Sequence, residues 1–183
     1  MSELYHHGIL GQKWGVRRYQ NEDGSLTPAG EKRYSQLIGR QGDVSVYKRK
    51  LSTTAKIGQK IFGKRDDNFM DYEIVNKEGH KVGNMMGGHY EDAYSGKIDK
   101  SKNQLDWIGI DDKYKRKHYG QDALDVYIKD CIKQGYKAIH LEAAGMDPAA
   151  QHVYEKKGFK AVGDIINDDI WDNLLPMELD LTK

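Results

Sequence analysis

The chain has 183 residues, of which 38% are hydrophobic and 31% charged, with one Cys and a formal net charge of +1. This is the profile of one main folded domain with room for an appendage. No run of about 18 uncharged apolar residues occurs, and the opening MSELYHHGIL lacks the apolar core of a signal peptide, so a cytoplasmic chain with no membrane partner is expected. Cys131 alone builds neither a disulfide framework nor a thiolate zinc site, and the seven His show no metal-ligand spacing, so no metal is expected.

The near-neutral charge is a cancellation. Residues 1–65 carry 13 Lys+Arg against 5 Asp+Glu, and residues 66–183 carry 16 against 23. A basic arm of +8 precedes an acidic body of −7. Such an arm attracts polyanions or an acidic protein face over long range; the alternative is a solvated basic linker.

In chain order, residues 1–27 are rich in Gly, His and Arg with aromatic punctuation at Tyr5, Trp14 and Tyr19, and hold no period of 2 or 3.6. Thr27-Pro28 reads as a helix start, Thr27 capping and Pro28 in the first turn, for a short helix to about Ile38 before Gly39 and Gly42. A basic linker over residues 41–68 holds a second helix at about 51–62, from Leu51, Ala55, Ile57, Ile61 and Phe62. From Phe69 the pattern changes: residues 71–75 and 80–86 flank the polar turn 76–79 as a hairpin, and 104–110 form a third strand.

A helix follows in which Ala123, Leu124, Tyr127, Ile128, Cys131 and Ile132 make one apolar stripe, closed by Gly135. Residues 137–143 form a strand, and Asp147-Pro148 starts a helix that runs to Lys157 and ends at Gly158. Residues 159–165 and the alternating Leu175, Met177, Leu179 and Leu181 supply the last two strands. The order implies an α/β (α+β) domain of three layers, with a mixed, mostly antiparallel sheet and a βαβ unit at its centre.

The strongest local feature is the basic loop Lys113-Tyr114-Lys115-Arg116-Lys117-His118-Tyr119-Gly120 between the third strand and the helix. A loop entering a helix N-terminus offers unpaired backbone N–H groups and the positive end of the helix dipole, which together bind phosphate. The alternative is a solvated basic turn. Residues 110–124 resemble the pyrophosphate-binding segment of the GNAT N-acetyltransferases, in which a basic or Gln residue precedes x-x-Gly-x-Gly/Ala at the start of a helix. Residues 147–159, DPAAQHVYEKKGF, are similar to that family's second signature, Asn-x-x-Ala-x-x-x-Tyr-x-x-x-Gly-Phe. Order and spacing agree, and the resemblance covers residues 69–183.

The resemblance implies a GNAT-like α/β/α fold, acetyl-CoA as cofactor, and an amine-bearing acceptor. Acetyl-CoA would lie between two splayed parallel strands, here 104–110 and 137–143, its pantetheine pairing with the backbone of Ile108, Gly109 and Ile110. The pyrophosphate would sit on the N–H groups of Lys115, Arg116, Lys117, His118, Tyr119, Gly120 and Gln121, with Asp147 beside the cofactor. Tyr154 would be the general acid that protonates the leaving thiolate, a task for which a phenol of reference pKa near 10 is suited. Alternatively Tyr154 is a core-facing helix residue with its hydroxyl at the surface. Asp106 is the first candidate for general base, placed on one strand face with Gln104, Ile108 and Ile110 by alternation, and Glu142 is the second. Two positions depart from the family pattern: His118 stands where the first Gly belongs, and Asp147 replaces Asn. The helices that usually precede the hairpin are not evident; the basic arm stands in their place.

The opening segment His6 to Gly30 resembles a short module, His-x-Gly-x-x-Gly-x-Lys-Trp-Gly-x-Arg-Arg-Tyr-Gln-x-x-Asp-Gly-Ser-Leu-Thr-x-x-Gly, attached to head-morphogenesis proteins of tailed bacteriophages and prophages. Trp14, Tyr19 and Arg17-Arg18 are residue types that anchor interfaces. The resemblance implies a docking module over residues 1–40, with a phage virion or assembly protein as partner of residues 1–30 and a virion-associated location beside the host cytoplasm. A flexible arm is the alternative. Nucleic-acid binding ranks behind both, since no zinc-finger, RNP or helix-turn-helix signature accompanies the basic residues. The leading expectation is a phage or prophage N-acetyltransferase; the rival is a virion-associated interaction protein with a catalytically degenerate GNAT-like fold.

Overall fold

The computed structural model describes residues 19, 27, 29–30, 35–50, 70–92, 95–144, 148–167 and 173–183. In chain order the elements are β1 (Ser35–Gln41), β2 (Val44–Arg49), β3 (Met70–Asn76), β4 (Lys81–Glu91), β5 (Ile98–Ile110), a 3-10 turn (Asp112–Tyr114), α1 (Tyr119–Gln134), β6 (Ala138–Ala144), α2 (Pro148–Lys156), β7 (Lys160–Ala161) and β8 (Leu174–Asp180). The strands form one sheet in the order β1-β2-β3-β4-β5-β6-β8-β7. All neighbours are antiparallel except β5 with β6. The expected mixed, mostly antiparallel sheet is therefore present.

The β3–β4 hairpin forms where the polar turn predicts it. Gly79 supplies a left-handed φ of +85°, and the Asn76 side-chain carbonyl accepts the His80 N–H at 2.8 Å. The segment before it differs from expectation. Thr27 does cap, its Oγ1 accepting the Gly30 N–H at 3.1 Å, but residues 35–41 are a strand and no helix reaches Ile38. Gln41-Gly42-Asp43 turns the chain, with Gly42 at φ +51°, so that β2 pairs β1 on one side and β3 on the other. Val44 and Val46 are buried while the alternate residues Ser45 and Tyr47 are half-buried, a period of two that the Lys-rich composition obscures. The first part of the expected linker is thus a strand of the sheet; the helix expected over residues 51–62 lies outside the described residues.

Both described helices cover the same face. The β5-α1-β6 and β6-α2-β7 connections are parallel crossovers that move the same way across the sheet, and right-handed crossovers then place their helices on one side. An ion pair between Asp125 of α1 and Lys157 just beyond α2, at 2.6 Å, joins them. These helices and the sheet make two of the expected three layers; Ala29 and Gly30, before β1, are also helical.

Ala123, Leu124, Val126, Tyr127 and Cys131 of α1 are buried together with Val44, Val46, Tyr72, Ile74, Met85, Leu105, Ile139 and Leu141 of the sheet. Ile132, placed in the apolar stripe by spacing, instead faces solvent at 53% exposure. The Tyr127 hydroxyl donates to Asn103 Oδ1 at 2.5 Å, and its ring meets Tyr72 edge-on at 5.3 Å. Gly135 closes α1 at φ +85° and Gly158 closes α2 at φ +92°, as their positions in the sequence predict. The strand expected over 159–165 contracts to Lys160–Ala161, a Val162 N–H bond to the Pro176 carbonyl at 3.0 Å and one bridge between Ile166 and Leu174, with Val162 and Ile165 exposed.

Two strands part at the centre of the sheet. β5 pairs β6 only from Lys102↔Ala138 to Leu105↔Leu141; beyond that β6 continues along β8 and β5 along β4. A bulge begins the separation: Met86 faces Trp107 and Gly87 faces Leu105, leaving Asp106 as the extra residue on β5. An extra residue bends its strand and increases its twist, which swings the end of β5 away from β6.

Candidate functional site

The open edge of β5 is the first component. Asp111 N–H donates to the Val82 carbonyl at 2.9 Å, and the Gly109 carbonyl turns toward Gly83 on β4. Antiparallel ladders alternate, so Ile108 and Ile110 aim their N–H and C=O groups the other way, into the opening. Gly109 has a different part from its two neighbours. Its missing side chain leaves room for Trp107, because a Cβ there would lie 2.8 Å from the indole Nε1.

The loop after β5 is the second component. Arg116 and His118 both hold left-handed backbone, at φ 63° and 61°. This is glycine's region, and a side chain there costs about 1–2 kcal/mol. His118 therefore holds a backbone angle that glycine adopts without strain. It is the N-cap of α1 but makes no side-chain capping bond, and the first intrahelical bond runs from Asp122 N–H to its carbonyl at 3.0 Å. The N–H groups of Tyr119, Gly120 and Gln121 consequently have no carbonyl of their own helix to meet. Lys115 ion-pairs with Asp112 at 2.6 Å, both side chains well exposed, and holds the Asp112 carboxyl below its ordinary pKa. Lys113 and Lys117 lie 4.8 and 5.8 Å from the Tyr114 ring centroid.

These components enclose two adjoining cavities. One, of about 350 Å³, is lined by Ile108, Ile110, the run from Tyr114 to Gln121, Leu124, Ala150, Val153 and Tyr154. The other, of about 420 Å³, occupies the fork between β5 and β6. Ile108, Ala150 and Tyr154 line both, so Tyr154 stands where the two meet. The Tyr154 ring packs edge-on to Phe159 at 5.8 Å, and its carbonyl accepts the Phe159 N–H at 3.1 Å. The Tyr-x-x-x-Gly-Phe spacing thus folds into a ring pair that fixes the tyrosine's position.

Asp106 and Glu142 both line the fork. Asp106 keeps Gln104, with which strict alternation grouped it, as a side-chain hydrogen-bond partner, but the bulge moves Ile108 and Ile110 to the opposite face. Pairing puts Ile108 with Met85 and Leu105 with Gly87 on the helix side, while Gln104 and Trp107 point to the other side. The protein crowding its carboxylate raises the Asp106 pKa; a hydrogen bond from the Gln104 side chain opposes this, and the Glu142 charge adds to it. Trp107, Tyr114, Leu124, Ala150 and Val153 also line the site and escaped sequence reasoning. Leu124 reads as core by helical spacing, and Trp107 carries no signal until the bulge is known. Asp147 lies outside the described residues. Among the described residues no group of three or more metal-ligating side chains assembles, and no helix is long and apolar enough to cross a membrane.

An open strand edge, a left-handed basic loop at a helix N-terminus and a cavity leading to a phenol fit a long ligand with a phosphate-bearing end and a narrow apolar arm. Comparison with known proteins agrees. The model of the Acetyltransferase (GNAT) domain matches residues 66–181. No curated protein matches the sequence. Among solved structures, the ribosomal-protein-S18-alanine N-acetyltransferase of Escherichia coli is similar at TM-score 0.55 and 15% identity, covering 75% of this chain and 95% of its own. Spermidine N-acetyltransferase of Vibrio cholerae, in complex with CoA and spermine, gives TM-score 0.56 at 14% identity over 73% of this chain and 78% of its own. Ard1 of Thermoplasma volcanium gives 0.52 at 18% identity over 73% and 82%.

Proposed function

The chain belongs to the GNAT acetyltransferase family, and from that premise we propose that it is an acetyl-CoA-dependent N-acetyltransferase acting on an amine acceptor. The observation that carries this reading is the position of Tyr154 on the wall common to the basic-loop cavity and the fork. Ile108 and Ile110 would pair through their backbone with the amides of the pantetheine arm. The N–H groups of residues 115–121 and the charges of Lys115, Arg116 and Lys117 would hold the pyrophosphate. Acetyl-CoA supplies the thioester whose acetyl group is transferred. Asp106 takes the proton that the acceptor ammonium must lose, with Glu142 alongside, and the Tyr154 hydroxyl gives its proton to the departing sulfur. Calorimetric titration with acetyl-CoA tests the reading. Wild type should bind, and a Lys115→Ala, Lys117→Ala double variant should bind about 10- to 100-fold more weakly; no heat with wild type leaves a binding module on a degenerate fold.

We also propose that residues 1–30 dock this cytoplasmic enzyme onto a virion or assembly component of a phage or prophage. Support comes from the sequence of His6 to Gly30, with its Trp, Tyr and paired Arg. Deleting residues 1–30 should abolish co-sedimentation with purified capsids and leave acetyl-CoA affinity unchanged; co-sedimentation of the truncated chain would refute docking.

A further inference from the structure

The two adjoining cavities divide the site's charge. The basic-loop cavity is lined by Lys115, Arg116, Lys117 and His118, and among the described residues no carboxylate. The fork is lined by Asp106 and Glu142, and among the described residues no Lys, Arg or His. Lys102, further along β5, is engaged with Glu178 at 2.7 Å. Trp107 and Met86, and Leu174 at the end of β8, give the fork apolar walls, and the gap above Gly109 keeps the Trp107 ring in place.

We propose that the fork, on the sheet face opposite the helices, where Trp107 and Glu142 lie, selects a small cationic alkylamine, with Asp106 and Glu142 matching its charge and Trp107 its alkyl body, that it rejects amines bearing a carboxylate or phosphate, and that the helix face, with Ile108 and Tyr154, is left to the pantetheine arm. This rests on the acetyltransferase reading and specifies its acceptor. Two carboxylates in a crevice with apolar walls repel an added anion: at about 5 Å and an effective dielectric of about 20, each like-charge contact opposes binding severalfold or more. An ammonium meets the reverse, and the face of Trp107 adds cation–π attraction. A cavity of about 420 Å³ is of small-molecule size.

The test is calorimetry on the full chain saturated with CoA, with 1,4-diaminobutane and 4-aminobutanoate as probes of equal length and different charge. Wild type should prefer the diamine by about tenfold or more, and Glu142→Gln should reduce that preference to about threefold or less. Glu142 is exposed, so an unchanged melting temperature verifies that the variant folds. Equal affinities for the two probes, no diamine binding, or a preference untouched by Glu142→Gln overturns the inference. CoA affinity, measured in the same samples, separates the two levels: CoA binding without charge selection refutes only the inference, whereas selection without CoA binding supports the amine site and refutes the acetyltransferase reading.

Discussion

Lys157 Nζ meets Asp125 Oδ1 at 2.6 Å, with both side chains about three-quarters buried. The bond spans the two helices that flank the basic-loop cavity, α1 through Gln121 and Leu124 and α2 through Val153 and Tyr154. It therefore ties together two walls of that cavity.

Lys157→Ala should cost no more than about 1 kcal/mol of stability, as a partly solvated pair does, while weakening acetyl-CoA binding about 3- to 10-fold. Denaturant unfolding and calorimetry on the same protein separate the two effects. Unchanged acetyl-CoA affinity would show that the helices keep their spacing without the pair.

Most of the fold from Met70 onward was legible because its signals are local. The Asn76–Gly79 turn, the α1 stripe with Gly135, and Gly158 before Phe159 each declare an element within a few residues. The β1–β2 hairpin was not, because its two buried valines sit among basic residues, and it joins the sheet through the pairing of β2 with β3. The lining of the two cavities was legible where it follows a motif, in the basic loop and at Tyr154. The bulge at Asp106 depends on the match of β4 to β5, and with it went the facing of Ile108 and Ile110.

His118 bears an imidazole on left-handed backbone at φ 61°. His118→Gly relieves about 1–2 kcal/mol of strain and adds about 0.5–1 kcal/mol of unfolded-state freedom. The net expectation is a gain of about 0.5–1 kcal/mol with acetyl-CoA binding retained, read from the urea midpoint. A loss of stability would show instead that the imidazole holds the loop.

Gly87 lies beneath Tyr127, and a Cβ at this position would meet both the Tyr127 hydroxyl and the backbone carbonyl of Gln104. Gly87→Ala should cost about 2–4 kcal/mol, since the carbonyl belongs to the sheet and the hydroxyl is bound to Asn103. A cost under about 0.5 kcal/mol would mean that the buried pair yields easily.

A base at Asp106 would act only when ionised, and crowding together with the Glu142 charge raises the Asp106 pKa. The acid limb of kcat/KM should therefore lie above the ordinary carboxylate range, with activity falling as pH drops through that raised value. Glu142→Gln removes one raising influence and should move the limb to lower pH. A limb unmoved in Glu142→Gln and still present in Asp106→Asn would assign the base elsewhere.

Thiol release from acetyl-CoA in the presence of 1,4-diaminobutane, compared between wild type and Tyr154→Phe, tests the central claim most directly. Wild type should release CoA thiol in step with acetylated amine, and Tyr154→Phe should lower kcat by about 100-fold or more with acetyl-CoA affinity unchanged, the size expected for loss of a general acid. Equal kcat in the two proteins would remove Tyr154 from the chemistry, and amine-independent release by wild type would contradict acetyl transfer itself.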